Sequence, residues 1–328
     1  MTTDQRQTTI GDPSRTQEQP ALGKLPFWKV ESIGNDFVLV HLDDIERLGG
    51  ATNVDNFLER LAIEVSPRKF GIGSDGLLAL ALLDDGSLLL RMFNPDGTED
   101  FCGNGIRCGF DHGLRQGWVQ ASGMRMVHGG RQISGTADDL RETAREKGPE
   151  ALAAINDVLP RTRYVIEFEL PAASYLPQDI PIIREDEAFN TGLFRIDGEV
   201  YSGSVLSTGT AHTILPVRKL PGDEEFFRVS PQIESHSMFP ERTSVMWVRE
   251  RQAFQIELRI WERGAGETKG CGTGSTAAAI DYLRRKGLAG TVQVLNPGGI
   301  VWITAESWDS PPRVAGMAAE RFRGEVSL

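Results

Sequence analysis

The chain has 328 residues, 40% of them hydrophobic, and a formal net charge of −11. It can bury a sizeable core, and its length suggests two domains of ordinary size. The acidic balance, without any run of Lys and Arg, excludes a nucleic-acid or other polyanion partner. No apolar stretch is long enough to span a bilayer and the N-terminus lacks the flank and apolar run of a secretory signal, so no membrane partner and a cytoplasmic location are expected. Three cysteines do not make a disulfide framework; free thiols in a reducing compartment are the expectation.

In chain order, residues 1–24, rich in Gln, Thr, Asp and Pro, lack apolar periodicity and read as a disordered tail. Residues 27–32 alternate as a strand, Gly34-Asn35-Asp36 supplies a turn, and residues 37–40 resume an extended run, which together predict a hairpin. Residues 56–65 space Phe57, Leu58, Leu61 and Ala62 as one face of a helix. After the glycine-punctuated Phe70-Gly71-Ile72-Gly73-Ser74-Asp75-Gly76, strands are predicted at 77–82 and 88–93. Strand-like residues 124–134 and 164–170 flank a charged helical segment near 137–158, read as an insertion at a hairpin tip. A Pro-rich passage at 176–181 marks the boundary between halves. Beyond it strands are predicted at 203–206, 213–217, 244–249, 254–261 and 292–295, with a helix or loop at 223–237. The expected division is therefore a tail to 24, a first half at 25–175, a second half at 176–315, and a terminal strand within 316–328.

The most informative feature is a repeat. Arg91-Met92-Phe93-Asn94-Pro95-Asp96-Gly97 leads to Cys102-Gly103-Asn104-Gly105, and Arg259-Ile260-Trp261-Glu262-Arg263-Gly264 leads to Cys271-Gly272-Thr273-Gly274. After each Cys-Gly-X-Gly the pattern turns helical and ends on a glycine, Gly117 or Gly287. A repeat of this period suggests two like-folded halves, each presenting a thiol where a strand turns into a helix. A buried cysteine is ordinarily just a small hydrophobe, inert in its pocket. At a helix start, however, unpaired N–H groups and the dipole stabilise a thiolate and can cradle a carboxylate. Two thiols facing one cleft can then move protons on both faces of a carbon.

Competing readings are weaker. Cys102, Cys108 and His112 do not have the spacing of a structural zinc site. Gly272-Thr273-Gly274-Ser275-Thr276-Ala277 matches the dinucleotide fingerprint G-x-G-x-x-A, but it follows a charged loop and lacks the acidic residue that holds a ribose. Lys269 lacks the phosphate cup a pyridoxal lysine needs. No metal and no cofactor are expected.

Phe93-Asn94-Pro95-Asp96-Gly97, Cys102-Gly103-Asn104-Gly105 with Arg107-Cys108, and the run from Glu262 through Gly274 together resemble the diaminopimelate epimerase family. Gly34-Asn35-Asp36-Phe37 and Gly71-Ile72-Gly73-Ser74-Asp75-Gly76 fit the same pattern. The resemblance implies a pyridoxal-phosphate-independent isomerase in which Cys102 and Cys271 exchange the α-proton of an amino acid, most directly converting LL- to meso-diaminopimelate on the route to lysine and cell-wall precursors. It further implies that Asn35, Asn94, Gly103, Asn104, Gly272 and Thr273 hold the substrate and that Glu262 and Arg263 meet its ammonium and distal carboxylate. In the same reading His212 and Glu262 tune the thiols, and Cys108 is packing. A structural histidine is the plain alternative for His212. The implied fold is α+β, with two similar pseudo-symmetric halves, each a curved, mostly antiparallel sheet wrapped around a central helix, and the last strand returning to the first half.

The departures concern the distal end of the substrate. Where the family usually has G-N-P-H this chain has Gly209-Thr210-Ala211-His212, and where R-T-N-V is usual it has Arg242-Thr243-Ser244-Val245. Thr210 and Ser244 reach less far than asparagines and offer fewer hydrogen bonds, so racemisation of another amino acid, such as histidine, is the alternative. A thiol redox sensor joining Cys102 to Cys271 is the alternative from another class. The sequence leaves the oligomeric state open, a homodimer among the options.

Overall fold

A computed structural model describes residues 23–48, 53–140, 142, 162–183 and 192–327. The first half contains strands β1 (Lys24–Ser32), β2 (Asn35–His41), β3 (Gly76–Leu82), β4 (Leu88–Phe93), β5 (Met124–His128), β6 (Arg131–Asp139) and β7 (Tyr164–Glu169). Its helices are α1 (Leu42–Arg47), α2 (Val54–Val65) and α3 (Gly103–Gln116). Then follow β8 (Gly192–Ile196), β9 (Glu199–Ser207), β10 (Ala211–Val217), α4 (Asp223–Glu234), β11 (Ser244–Gln252), β12 (Gln255–Glu262), β13 (Gly266–Thr268), α5 (Gly272–Lys286), β14 (Gly290–Asn296), β15 (Gly299–Ala305), β16 (Arg313–Met317) and β17 (Ala319–Ser327).

The pairings repeat. In the first half β1–β2 is antiparallel, β2–β3 parallel, β3–β4 antiparallel, β4–β5 parallel, then β5–β6 and β6–β7 antiparallel. In the second, β9–β10, β10–β11, β11–β12, β12–β14, β14–β15 and β15–β16 follow the same order of relations. The terminal strand β17 returns to pair with β1 at the edge of the first half, while β8 pairs with β9 as a hairpin at the edge of the second. The halves join where β7 pairs with β16.

Parallel pairs need crossovers, and the helices are those crossovers. α3 links β4 to β5 and packs against β1, β3, β4, β5, β7 and β17; α5 links β12 to β14 and packs against β9, β10, β11, β14 and β15. Each central helix is thus buried inside its own curved sheet. Small residues make this possible on α5, where Ala277, Ala278 and Ala279 are all buried, and α3 presents Ile106 and Phe110. One core cluster runs through both halves, joining Val30, Ile106, Phe110 and Phe168 to Ile260, Ile280 and Val301. Each such fully buried side chain contributes roughly 1.5–3 kcal/mol.

Both central helices end on a left-handed glycine, Gly117 at φ 71° and Gly287 at φ 64°. The next N–H reaches back to an orphan carbonyl, Trp118 to Gly113 at 2.9 Å and Leu288 to Leu283 at 2.9 Å. Counted from these ends, α5 is longer than α3 by one residue, 15 against 14.

Several expectations need correction. Residues 124–134 form not one strand but two, β5 and β6, turning at Gly129-Gly130, where both glycines have positive φ. The helical insertion was expected from 137, yet Ala137 to Asp139 belong to β6 and pair with Ile166 to Tyr164 of β7; residues 143–158 lie outside the described residues. Lys24, assigned to the tail, opens β1, while residues 1–22 lie outside the described residues. The 223–237 segment resolves as helix α4 to Glu234. Strands β8, β13, β15 and β16 and helix α1 had no sequence-based assignment.

Candidate active site

Each cysteine is the N-cap of a central helix. Cys102 has φ −138° and ψ 111°, Cys271 φ −125° and ψ 115°, both extended, as an N-cap requires. Their sulfurs take the place of the usual cap oxygen and accept the N–H of the third helical residue, Gly105 at 3.4 Å and Gly274 at 3.3 Å. The two helix starts abut. A side-chain carbon placed on Gly103 would lie 3.9 Å from Gly272 Cα, and one placed on Gly272 would lie 3.7 Å from the backbone N of Asn104 and 3.3 Å from its Oδ1. The N–H groups of Gly103, Asn104, Gly272 and Thr273, which have no acceptor in the preceding turn, thus lie at the two abutting helix starts, where both positive dipole ends meet.

The second thiol has two proton acceptors beside it. Thr273 Oγ1 is 3.5 Å from Cys271 Sγ and 3.3 Å from His212 Nε2. His212 Nδ1 is 2.8 Å from the carbonyl oxygen of Thr210, which can only accept, so the proton sits on Nδ1 and Nε2 is left as a base. Burial pulls the His212 pKa down to about 4, keeping the ring neutral at physiological pH. The Glu262 carboxyl is close enough for its charge to act on Cys271, and it accepts from Thr268 Oγ1. Burial raises the Glu262 pKa, and its charge bears on both Cys102 and Cys271.

The helix starts do not lower the thiol pKa values as the sequence suggested. Burial dominates: the Cys102 thiol is pushed up to about 11, and Cys271 is raised well above its ordinary range. Both resting sulfurs therefore keep their protons, and a base must remove one before either can act.

The remaining candidates sit as follows. Asn35 opens β2 at the turn facing the second half, and its Oδ1 is buried without a hydrogen-bond partner. Asn94 donates its Nδ2 to Thr98 Oγ1 at 3.1 Å, fixing the turn before Cys102. The Asn104 side chain is spent on structure, its Nδ2 donating to the Gly270 carbonyl at 3.1 Å, so only its backbone N–H faces the cleft. Ser244 stands opposite His212 in the parallel β10–β11 ladder, and its Oγ accepts the Arg263 backbone N–H at 3.1 Å. Arg263 Nη1 donates to the Glu241 carbonyl at 3.1 Å. Thr210 offers its carbonyl to His212, as above. Cys108 is buried in the core. Among the described residues no three His, Cys, Asp or Glu side chains converge as a metal site, and His112 hydrogen bonds to His41 at 2.8 Å instead of facing Cys102.

Two supporting residues carried no sequence signal. His128 Nε2 accepts the Cys102 backbone N–H at 2.9 Å, while its Nδ1 is 3.0 Å from the Leu90 carbonyl oxygen, which fixes the tautomer. Thr208 Oγ1 donates to the Thr273 carbonyl at 3.1 Å, tying the β9–β10 turn to the start of α5.

The profile of the family described as diaminopimelate epimerase matches residues 204–319. The diaminopimelate epimerase of Pelotomaculum thermopropionicum is 32% identical over 303 residues, covering 91% of this chain and 98% of its own. That of Moorella thermoacetica is 30% identical over 314 residues, covering 92% and 99%. Among solved structures, a hydroxyproline epimerase from Agrobacterium vitis has a TM-score of 0.61 at 11% identity, covering 93% of this chain and 91% of its own. A Bacillus anthracis phenazine biosynthesis protein of the PhzF family has a TM-score of 0.59 at 18% identity, covering 93% and 99%. At those identities the structural likeness is one of fold.

Proposed function

Because the chain belongs to the diaminopimelate epimerase family and is an isomerase of the epimerase and racemase kind, we propose that Cys102 and Cys271 invert an amino-acid α-carbon between them, with diaminopimelate as the substrate, LL to meso. The observation that carries this reading is the abutment of α3 and α5, each capped by one of the two thiols.

The reaction begins when one thiol gives its proton to a neighbour, Glu262 or, through Thr273, His212. That thiolate takes the α-proton, and the C–H electron pair remains on Cα, spread into the carboxylate. The opposite thiol then gives its proton to the other face and becomes the thiolate. One S–H bond forms, one breaks, and a single negative charge passes from sulfur to sulfur. The difficulty is the weakly acidic α-hydrogen. The N–H groups of Gly103, Asn104, Gly272 and Thr273 offset it by holding the carboxylate where charge accumulates, in a site too dry to screen them.

Asn35 Oδ1, buried and unpartnered, suits the substrate ammonium, a role that the family pattern shares with Asn94 and Glu262. Arg263 suits a distal carboxylate, and Thr210 and Ser244 line the same end. Racemisation of another amino acid is favoured by one observation, that Ser244 already spends its hydroxyl on the Arg263 backbone and leaves less for a polar distal centre.

The test is deuterium uptake at Cα in heavy water, followed by NMR, with diaminopimelate isomers and a panel of L-amino acids including histidine. Exchange confined to diaminopimelate is expected. Exchange of another amino acid instead replaces the substrate, and no exchange at all, with a reversible Cys102–Cys271 disulfide, replaces the enzyme reading with a thiol sensor.

A further inference from the structure

Arg107 lies in the second turn of α3 and is fully buried, at 0% exposure. Its Nε donates to Ser32 Oγ at 2.8 Å, and Ser32 in turn donates to the Met317 carbonyl at 2.7 Å. Its Nη2 donates to Asn104 Oδ1. Its Nη1 is buried with no hydrogen-bond partner, and among the described residues no carboxylate pairs with the guanidinium. A side-chain carbon on Gly272 would lie 3.4 Å from Nη2. The cation therefore sits directly behind the junction of the two helix starts, bonded to neutral oxygens.

An arginine in such a place is unusual, since buried charges are ordinarily paired. Burial brings its pKa down to about 10, so it remains positive at physiological pH, and the charges that bear on it belong to Cys108, Cys102 and Cys271. The same two thiols feel Glu262, whose negative charge opposes their ionisation. A negative charge in the cleft would thus find one fixed cation behind it.

We propose that Arg107 is the counter-charge to the single anion that moves between the two sulfurs during turnover, and a positioning residue that holds the two helix starts in register through Asn104 and the Gly270 carbonyl. This rests on the two-thiol reading above. As the anion transfers from one sulfur to the other, the guanidinium behind the junction offsets its charge, most directly at Cys102.

The test reads the thiols without substrate. In Arg107→Met, alkylation of Cys102 and Cys271 by iodoacetamide, resolved by peptide mass spectrometry across pH, is expected to shift upward by about one pH unit, as loss of an adjacent opposite charge predicts. Alkylation at pH 8 then slows about tenfold. Arg107→Lys, which keeps the charge, is expected to restore the wild-type profile. A folded Arg107→Met protein with unshifted profiles would overturn the proposal and leave Arg107 a structural latch. The unsubstituted protein gives a second measurement that does not depend on the variant folding. With 15N-labelled arginine, the Arg107 side-chain resonance is expected to move with thiol titration and to stop doing so in the Cys102→Ala, Cys271→Ala double variant; a resonance indifferent to the thiols also overturns it. Neither readout uses an amino acid, so failure of the substrate reading remains distinguishable.

Discussion

The carbonyl oxygen of Ile33 occupies the space a side chain on Gly298 would need: a carbon built there would lie 2.0 Å from it and 2.9 Å from Gly34 Cα. Backbone from one half is pressed on backbone from the other, next to Asn35. Gly298→Ala must therefore push the Ile33-Gly34-Asn35 turn away from the second cysteine loop. Its expected cost is about 1–3 kcal/mol of stability and on the order of a hundredfold in turnover, because displacement of a positioning group by about 1 Å has that effect. Denaturant titration and the rate of exchange check this; a fully active, stable variant would show that the turn has no part in the site.

Thr273 is expected to relay a proton, not merely to line the cleft. Thr273→Val keeps the shape and removes the hydroxyl between Cys271 and His212. Turnover should fall about tenfold to a hundredfold with little change in KM, a modest share of what proton transfer by a side chain contributes. Thr273→Ser should recover most of it. If valine matches the wild type, Glu262 alone serves Cys271.

The fold was legible where periodicity was strong. The strand at Leu88–Phe93 and the helices after Cys102 and Cys271 follow from alternation and from Cys-Gly-X-Gly before an apolar run, and the repeat implied two like halves. Short elements were not legible. α1 has six residues and buries only Ile45, too little to make a pattern. The hairpin turn at Gly129-Gly130 carried a recognised signal and was overrun by the apolar residues around it. In the site, the thiols, His212 and Glu262 were readable as residue types, but their pKa values were not. A helix start argues for a low thiol pKa, and burial, which depends on the whole fold, outweighs it. Arg107 belongs to the legible motif but its role was not readable, and His128 carried no signal, since long-range packing alone makes the first a buried cation and the second a cap on the Cys102 N–H.

Asp111 should make the protein less stable above pH 6 than an uncharged side chain would. Burial raises its pKa from 3.8 to about 6, against the opposing hydrogen bond from Arg115. The folded state therefore binds the proton more tightly than the unfolded one. The stabilisation this gives is complete below pH 3.8 and is lost as pH rises to about 6. At 1.36 kcal/mol per pKa unit the loss is on the order of 3 kcal/mol. Unfolding free energies of wild type and Asp111→Asn, measured from pH 4 to 7, should diverge over that window, with the wild type falling relative to the variant; parallel curves would contradict the assignment.

The most direct measurement is stereoisomer interconversion, read as Cα deuterium incorporated with inversion, by Cys102→Ala and Cys271→Ala, each with either stereoisomer of the substrate, beside a folded wild type. The account predicts that each single variant loses about a hundredfold to ten-thousandfold in interconversion, since one acid–base partner at a carbon supplies roughly 10²–10⁴. Interconversion near the wild-type rate in either variant would contradict it.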